Sequence, residues 1–488
     1  MRPLLTLLAC CLATPALAER PLTYREVLER AVAYNPTVGR ADLAREQAQA
    51  AVMGANGVYD PSLTVGGNYR RSQQRGFFQG FPFKSNSTSY DLSAGLSQTA
   101  PSGTTVSLET TLDRNLSTFE TDFGGSTQTE QQQNAWTANT SLRLTQNLLR
   151  GFTVAYNMRT VTRARNSLDI ADLTLERTRQ QILADAASAY WTWVYQDELA
   201  RIAADSVTTA EEAARIGALQ VETGDLAPVE RTRLDAALVQ AQSQQIEARI
   251  AAQQAADAVL LMIGEDPGQD ILPATPVDEV LALSLDADAA VEVAIAQNLE
   301  VAIAQAELEQ ARQDHRMARH EMLPSLSATA SAGIGNQETT AGAAIGGLFG
   351  DQSFPSFTVG GNLQVPLGNR AARAEAQRTS ATVLQEELDL QEVQRRVQSE
   401  VLLQVSRLGS AQRKVELADL QRRLAAETLA AEEALATAGR SIQKNVLEAR
   451  TELERTTAEA AKARTDWQIA QVELLRLQGQ LEGVSSVF

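Results

Sequence analysis

Enzymatic chemistry needs nucleophiles, metal ligands or titrating groups brought together, and the residue types that supply them are scarce in this chain. Cys10, Cys11, His315 and His320 are the only thiols and imidazoles in 488 residues. Both cysteines fall inside an N-terminal apolar run that is expected to be removed, so thiolate and disulfide chemistry drop out. The histidines stand five apart on a predicted helix, which points their rings about 140° apart at 100° per residue. Two solvated helix residues are expected there, not a metal pair. Neither a Gly-rich phosphate loop nor a nucleophile elbow occurs. The reading is of a chain that is no enzyme and takes no cofactor and no metal, so its function has to come from the elements it builds.

The first element is an export signal. Met1 and Arg2 make a cationic start, Pro3 to Ala13 is apolar, and Ala16-Leu17-Ala18 offers small residues for cleavage after Ala18. A membrane anchor would need about 18 to 20 apolar residues, which Arg2, Thr14 and Pro15 interrupt. Leu7-Leu8-Ala9-Cys10 also resembles the lipobox of lipoproteins, although the apolar run before Cys10 is short for one. A formal charge of −17 makes nucleic acid a poor partner. No later stretch is apolar enough for a spanning helix. Entry into a membrane would therefore require a closed β-barrel, the other structure that satisfies its backbone hydrogen bonds in lipid.

A tandem repeat organises the rest. Residues 22–65 align without a gap with residues 285–328: Leu22 with Leu285, Glu29 with Glu292, Asn35 with Asn298, and Pro61-Ser62-Leu63 with Pro324-Ser325-Leu326. Each copy runs through an amphipathic helix, strands, a Leu-rich exit and two long helices joined at a glycine. Proline is absent from Ser102 to Ala227 and after Pro366, which permits unbroken helices. A helix of about 65 residues would reach about 100 Å. From Ile442 through Val446, Ala449, Leu453, Thr456, Ala460, Ala463, Trp467, Ala470, Leu474 and Leu477 to Leu481, apolar residues step by four and three, a heptad seam. A soluble coiled-coil rod would show the same seam.

Six segments alternate at period two, the strand period. Leu63-Val65-Gly67-Tyr69, Tyr90-Leu92-Ala94-Leu96, Val106-Leu108-Thr110-Leu112, Trp136-Ala138-Thr140-Leu142-Leu144, Leu326-Ala328-Ala330-Ala332-Ile334 and Phe357-Val359-Gly361-Leu363-Val365 each share one face. The opposite faces are polar. Strands of about 10 to 12 residues suit one tilted bilayer crossing, though a soluble sandwich alternates likewise. Residues 74–87, 115–133 and 336–355 are expected as long extracellular loops and Ala100-Pro101-Ser102-Gly103 as a tight turn. Tyr69, Tyr90, Trp136 and Phe357 are candidates for an interfacial aromatic belt. Six strands are too few for a pore, so several chains must share one barrel.

Leu22-Thr23-Tyr24-Arg25-Glu26-Val27-Leu28 through Asn35-Pro36, the paired Pro-Ser-Leu strand openings, Leu144-Thr145-Gln146 and the two glycine turns together resemble the TolC-like outer-membrane efflux family. The resemblance covers nearly all of the mature length. It implies an α+β membrane protein: a shared trimeric transmembrane β-barrel continuous with a long α-helical coiled-coil periplasmic tunnel. It also implies a homotrimer in outer-membrane lipid, partnered by a periplasmic adaptor and an inner-membrane transporter. The family's turns between long helices meet the adaptor; here they are Thr223-Gly224-Asp225-Leu226-Ala227-Pro228 and Thr437-Ala438-Gly439-Arg440-Ser441. Family acidic positions that line the closed end fall on Glu230, Asn445 and Glu448, with Asn445 standing where a carboxylate is expected. Family members carry two strands per repeat, whereas the surplus between Pro61 and Leu144 predicts an extra hairpin at Pro101 and six strands per protomer.

The expected layout is a signal at 1–18, a first repeat at 19–283 and a second at 284–488. The first holds strands within 62–146 and helices 153–222 and 229–262. The second holds helix 286–322, strands within 325–366, and helices 370–437 and 441–482. The resemblance makes the chain an outer-membrane exit duct for a tripartite efflux pump or type I secretion system. An autonomous porin or a secreted coiled-coil structural protein are the alternatives.

Overall fold

The computed structural model describes residues 20–481 except 79, 124–125, 225–226, 276–285, 439 and 442. Ala18 and both cysteines lie outside these. In chain order the elements are β1 (Arg20–Leu22), α1 (Tyr24–Tyr34), α2 (Pro36–Asn56), β2 (Ser62–Phe78), β3 (Phe81–Thr99), β4 (Thr104–Phe123), β5 (Ser126–Asn147), α3 (Val154–Asn157), α4 (Arg159–Thr223) and α5 (Pro228–Met262). There follow β6 (Ile271–Pro273), α6 (Ala287–Gln297), α7 (Leu299–Glu321), β7 (Ser325–Glu338), α8 (Ala341–Gly346), β8 (Phe354–Gln364), α9 (Arg370–Thr437) and α10 (Gln443–Leu477). They form two compact units, one of residues 46–169 and 306–387, the other of the remaining segments.

The first unit is built on an antiparallel sheet in the order β2-β3-β4-β5-β7-β8. All six strands are present, and β3 and β4 meet at the Pro101 turn, where the Gly103 amide donates to Ala100 O. Gly103 has φ +76°, and a Cβ there would lie 2.2 Å from Gly151 O, so both conformation and space require glycine. β2 and β8 are the sheet's free edges.

The strands correct the expected lengths and loops. β2 to β5 run for 17, 19, 20 and 22 residues. Residues 74–87 and 115–133 are largely paired strand, with Gln74 opposite Ser85 and, past an irregularity at Leu116/Ser117, Ser117 opposite Gln132. Once two strands are aligned, continuing the ladder satisfies backbone groups that an open loop would leave to water. The third expected loop, 336–355, instead contains α8 and a 3-10 turn. Ala344 and Leu348 bury themselves against Ala138, flanked by Leu112, Trp136 and Ile334. Asn336 Nδ2 secures the segment by donating to Ala343 O and Ala344 O.

The other unit is helical, with a larger and a smaller core among the described residues, besides a small cluster of Val207, Ala210 and Ala241. In one, Val27, Leu28 and Ala31 of α1 join Leu183, Ala187 and Tyr190 of α4, Val259 and Leu260 of α5, and Val472 and Leu475 of α10. In the second, Ala290 and Ala294 of α6 join Val397, Val401 and Leu408 of α9 and Leu474 and Leu477 of α10. The β1–β6 parallel pair was not legible in the sequence. It is tied to α4 by the Tyr190 hydroxyl, which donates to Leu22 O and accepts from Thr275 N. α4 and α9 are continuous over 65 and 68 residues. None of the described seam residues of α10 is exposed.

The single helix expected over 286–322 is two, broken at Asn298, whose backbone is extended. Its amide still donates to Ala294 O, while its Oδ1 accepts from the amides of Glu300 and Val301. Asn298 thus ends one helix and caps the next. Asn35 does the same between α1 and α2, accepting from the Thr37 amide. Among the described residues no helix is long and apolar enough to cross a membrane.

Candidate functional site

Two regions carry the residues singled out by sequence: the turns that join the long helices, and the faces of the sheet. At the first turn Gly224 takes φ +83° and its amide donates to Val221 O, closing α4. Thr223 Oγ1 donates back to Leu219 O and Gln220 O. Ala227 is the extended N-cap of α5 and Pro228 its first residue, where a missing amide costs nothing. Glu230 follows in the first turn of α5 and accepts from Arg233 at 2.7 Å. Asp225 and Leu226 lie outside the described residues.

At the second turn Thr437 Oγ1 donates to Glu433 O, Ala438 N to Ala434 O, and Arg440 N to Leu435 O five residues back. That last bond is the closure of a Schellman-type helix end. Gly439 lies outside the described residues. Ser441 Oγ donates to Glu432 Oε2 at 2.6 Å, and Asn445 Nδ2 donates to Ser441 Oγ at 3.2 Å. Glu448 is exposed beside Lys444, 3.4 Å away. Glu230, Asn445 and Glu448 each bond only within their own turn among the described residues, so one chain does not assemble them into a site. Glu432 was missed by sequence reasoning because nothing in its spacing separates it from its acidic neighbours.

The histidines correct an expectation. Neither is a merely solvated helix residue: His315 Nδ1 lies 3.1 Å from Thr379 Oγ1, and His320 Nε2 accepts from the Gly151 amide at 3.3 Å. His320 also packs on Tyr156, ring centroids 4.6 Å apart. They hold α7 to its neighbours. Among the described residues no cluster could bind a metal ion.

In the sheet, register decides what the faces present. Leu63, Leu96, Leu108, Leu142, Ala332 and Phe357 lie directly opposite one another in succession, a single apolar row across all six strands. Its end members, Leu63 and Phe357, are 73% and 75% exposed. A parallel row of Tyr69, Tyr90, Arg114 and Trp136 runs across four strands, with the Tyr69 and Tyr90 rings 5.2 Å apart and the Arg114 guanidinium over Trp136. Phe357 belongs to the first row and not to this aromatic one. The other face carries Asn68, Asp91, Asp113, Thr137 and Gln337 in one row and Glu109, Ser141 and Ser356 in another. α8 covers the apolar face around Ala138; where that face is exposed, an apolar side backed by a polar one is what a sheet between lipid and water requires.

Residues 290–480 match the family model of the outer membrane efflux protein. They are an outer membrane efflux protein domain. This domain includes α7, β7, α8, β8, α9 and all of α10, and so contains Asn445 and Glu448 but not Glu230. No curated protein matches the chain by sequence. Solved structures extend the likeness of fold beyond the efflux protein domain to nearly the whole chain. The outer membrane protein VceC of Vibrio cholerae is 13% identical over 93% of this chain and 96% of its own, with a TM-score of 0.65. The open state of the MtrE outer membrane channel of Neisseria gonorrhoeae is 18% identical over 94% and 89%, with a TM-score of 0.64. The CmeC outer membrane channel of Campylobacter jejuni is 13% identical over 98% and 94%, at 0.63. The chain thus shares the fold of outer membrane channels, and an efflux channel is the role its efflux protein domain supports.

Proposed function

We propose that the chain is one protomer of a homotrimeric outer-membrane duct that conducts solutes passively out of a Gram-negative cell. The observation that carries this is the six-stranded sheet with one exposed apolar face, one polar face and two free edges. Free edges are not tolerated in lipid, and six strands cannot close on themselves, so copies must join edge to edge. Three copies of six strands give an eighteen-stranded barrel wide enough for water. The tandem duplication, with copies at 19–283 and 284–488, is supported by the matching helix breaks at Asn35 and Asn298. Helices of 65 and 68 residues, about 100 Å long, suit a tunnel across the periplasm and have no use in a simple porin.

In this reading the two helix turns meet a periplasmic adaptor that couples the duct to an inner-membrane transporter, in a tripartite pump or a type I secretion system. Glu230, Asn445 and Glu448 line the periplasmic constriction. Threefold symmetry would bring three Glu448 carboxylates around one axis, a ring that favours cations; Asn445 leaves it half as charged as two carboxylate rings would be. Single-channel recording of the purified oligomer in planar bilayers tests both levels. The duct reading expects discrete conductance steps, and Glu448→Ala is expected to change their size and weaken cation selectivity. No steps at all would overturn the duct; steps indifferent to Glu448→Ala would overturn only the constriction.

A further inference from the structure

Beyond the aromatic row the apolar face of the sheet changes character. On β2 the same face continues from Tyr69 to Arg71, Gln73, Arg75 and Phe77, and on β3 it runs from Tyr90 to Thr88, Asn86 and Lys84. From Val106 to Arg114 on β4 is about 26 Å along the strand, or about 20 Å of bilayer normal at a tilt of about 40°. Arg71 therefore stands about 5 Å past the Tyr69 row along the normal and Arg75 about 15 Å past it, the depth of headgroups. Arg114 adds a third guanidinium at the aromatic row itself. Arg75 and Lys84 are direct cross-strand partners on one face, an arrangement of like charges that destabilises a sheet unless an anion lies between them. Glu120, opposite Lys84, reaches it only at 4.0 Å, and Arg71 and Arg75 have no ion-pair partner among the described residues. Arg75, Phe77, Pro82, Lys84 and Glu120 line a cleft of about 380 Å³. Phe77 is 79% exposed beside it.

We propose that Arg71, Arg75 and Lys84 form a binding surface for the phosphorylated headgroup of an outer-leaflet lipid, with Phe77 covering its sugar or upper acyl portion. This rests on the barrel reading, since only then does this face meet lipid. Guanidinium groups take phosphate in paired hydrogen bonds, and long cationic side chains keep their heads at the interface while their stems lie on apolar surface. Among the described residues, Arg71, Arg75, Lys84 and Arg114 stand on this face against Glu120 and, at the far end of the row of Arg114, Glu338, a local inversion of the charge balance of a chain of net charge −17.

The test uses the full-length oligomer in phosphatidylcholine nanodiscs containing bis-phosphorylated lipid A or its dephosphorylated form, with retained lipid counted by native mass spectrometry. Wild type is expected to retain the phosphorylated form selectively. The R71Q/R75Q/K84Q variant should bind it more weakly by about tenfold or more, given the attraction each cation contributes near an anionic surface. R70Q, on the opposite face, should change nothing, and R71K/R75K should keep most of the binding. Quenching of tryptophan emission by brominated lipid, compared between wild type and Phe357→Trp at an exposed place on the apolar face, separates the two levels. If the tryptophan added at position 357 adds no quenched emission, the barrel reading fails. If it does but the triple variant binds like wild type, or the dephosphorylated lipid binds equally well, the headgroup site fails.

Discussion

Glu454 shows how a single side chain on a long helix acquires consequence from its surroundings. Burial pushes its carboxyl above the usual carboxylate range, against the opposing pull of a hydrogen bond with Ser206 and of Arg450, 4.0 Å away. A raised value means the folded state holds the proton more tightly than the unfolded one. Ionising Glu454 therefore costs stability as pH rises from the unfolded value through the folded one, and the whole penalty is present above both. Glu454→Gln keeps an acceptor for Ser206 and removes the charge, so it is expected to melt higher than wild type at pH 8. The difference should shrink towards zero near about pH 4, where an unperturbed glutamate is largely protonated. Melting curves at the two pH values check this; a difference independent of pH would show that burial of the charge is not its cause. At the same scale, the imidazole of His320 was invisible as a structural acceptor in sequence, because Gly151 is brought to it only by the fold.

Among the elements, the paired helix breaks make the sharpest comparison. Asn35 and Asn298 occupy matching places, and both cap the helix that follows. Both also reach a second helix, but with unequal acceptors: Asn298 Nδ2 donates to Leu477 O in a buried contact at 2.9 Å, and Asn35 Nδ2 to the weaker thioether acceptor Met262 Sδ at 3.9 Å. Asn298→Ala leaves that carbonyl unsatisfied as well as removing a cap, and is expected to cost about 2 to 3 kcal/mol. Asn35→Ala removes the Thr37 bond and only a weak bond to sulfur, and should cost about 1 kcal/mol. Thermal or denaturant unfolding of the two variants in detergent would separate these, and equal losses would mean the Leu477 bond contributes nothing. The strands teach the complementary lesson. Their faces were legible from alternation, because period two is imposed by the backbone. Their ends were not, since Ser, Thr, Asn and Gln suit an exposed ladder as well as a loop.

For the whole molecule, the free edges β2 and β8 set the expectation. With Thr64 and one of Ser356, Thr358 or Asn362 replaced by cysteine on the polar face, neighbouring protomers are expected to cross-link upon oxidation at one of the three pairings. The covalent ladder should stop at three chains, because a closed ring offers no further edge. A ladder that runs past three, or covalent monomers alone, would refute the trimeric barrel. Denaturing electrophoresis without reductant reads the result.

By itself the sequence determined the existence and order of the six strands of the main sheet and of the long helices. Proline-free stretches, a heptad seam and period-two alternation report backbone geometry that each segment carries locally, and the scarcity of thiols and imidazoles needs no fold to be seen. What only the tertiary structure decided was register and partnership. These include the apolar row from Leu63 to Phe357, the pairing of Arg75 with Lys84, the return of α8 onto Ala138, and Tyr190 bridging β1 and β6 to α4. Apart from Arg75 and Lys84, which face each other across one hairpin, such contacts join residues far apart in the chain, and their geometry comes from the packing of several elements at once, which no single segment encodes.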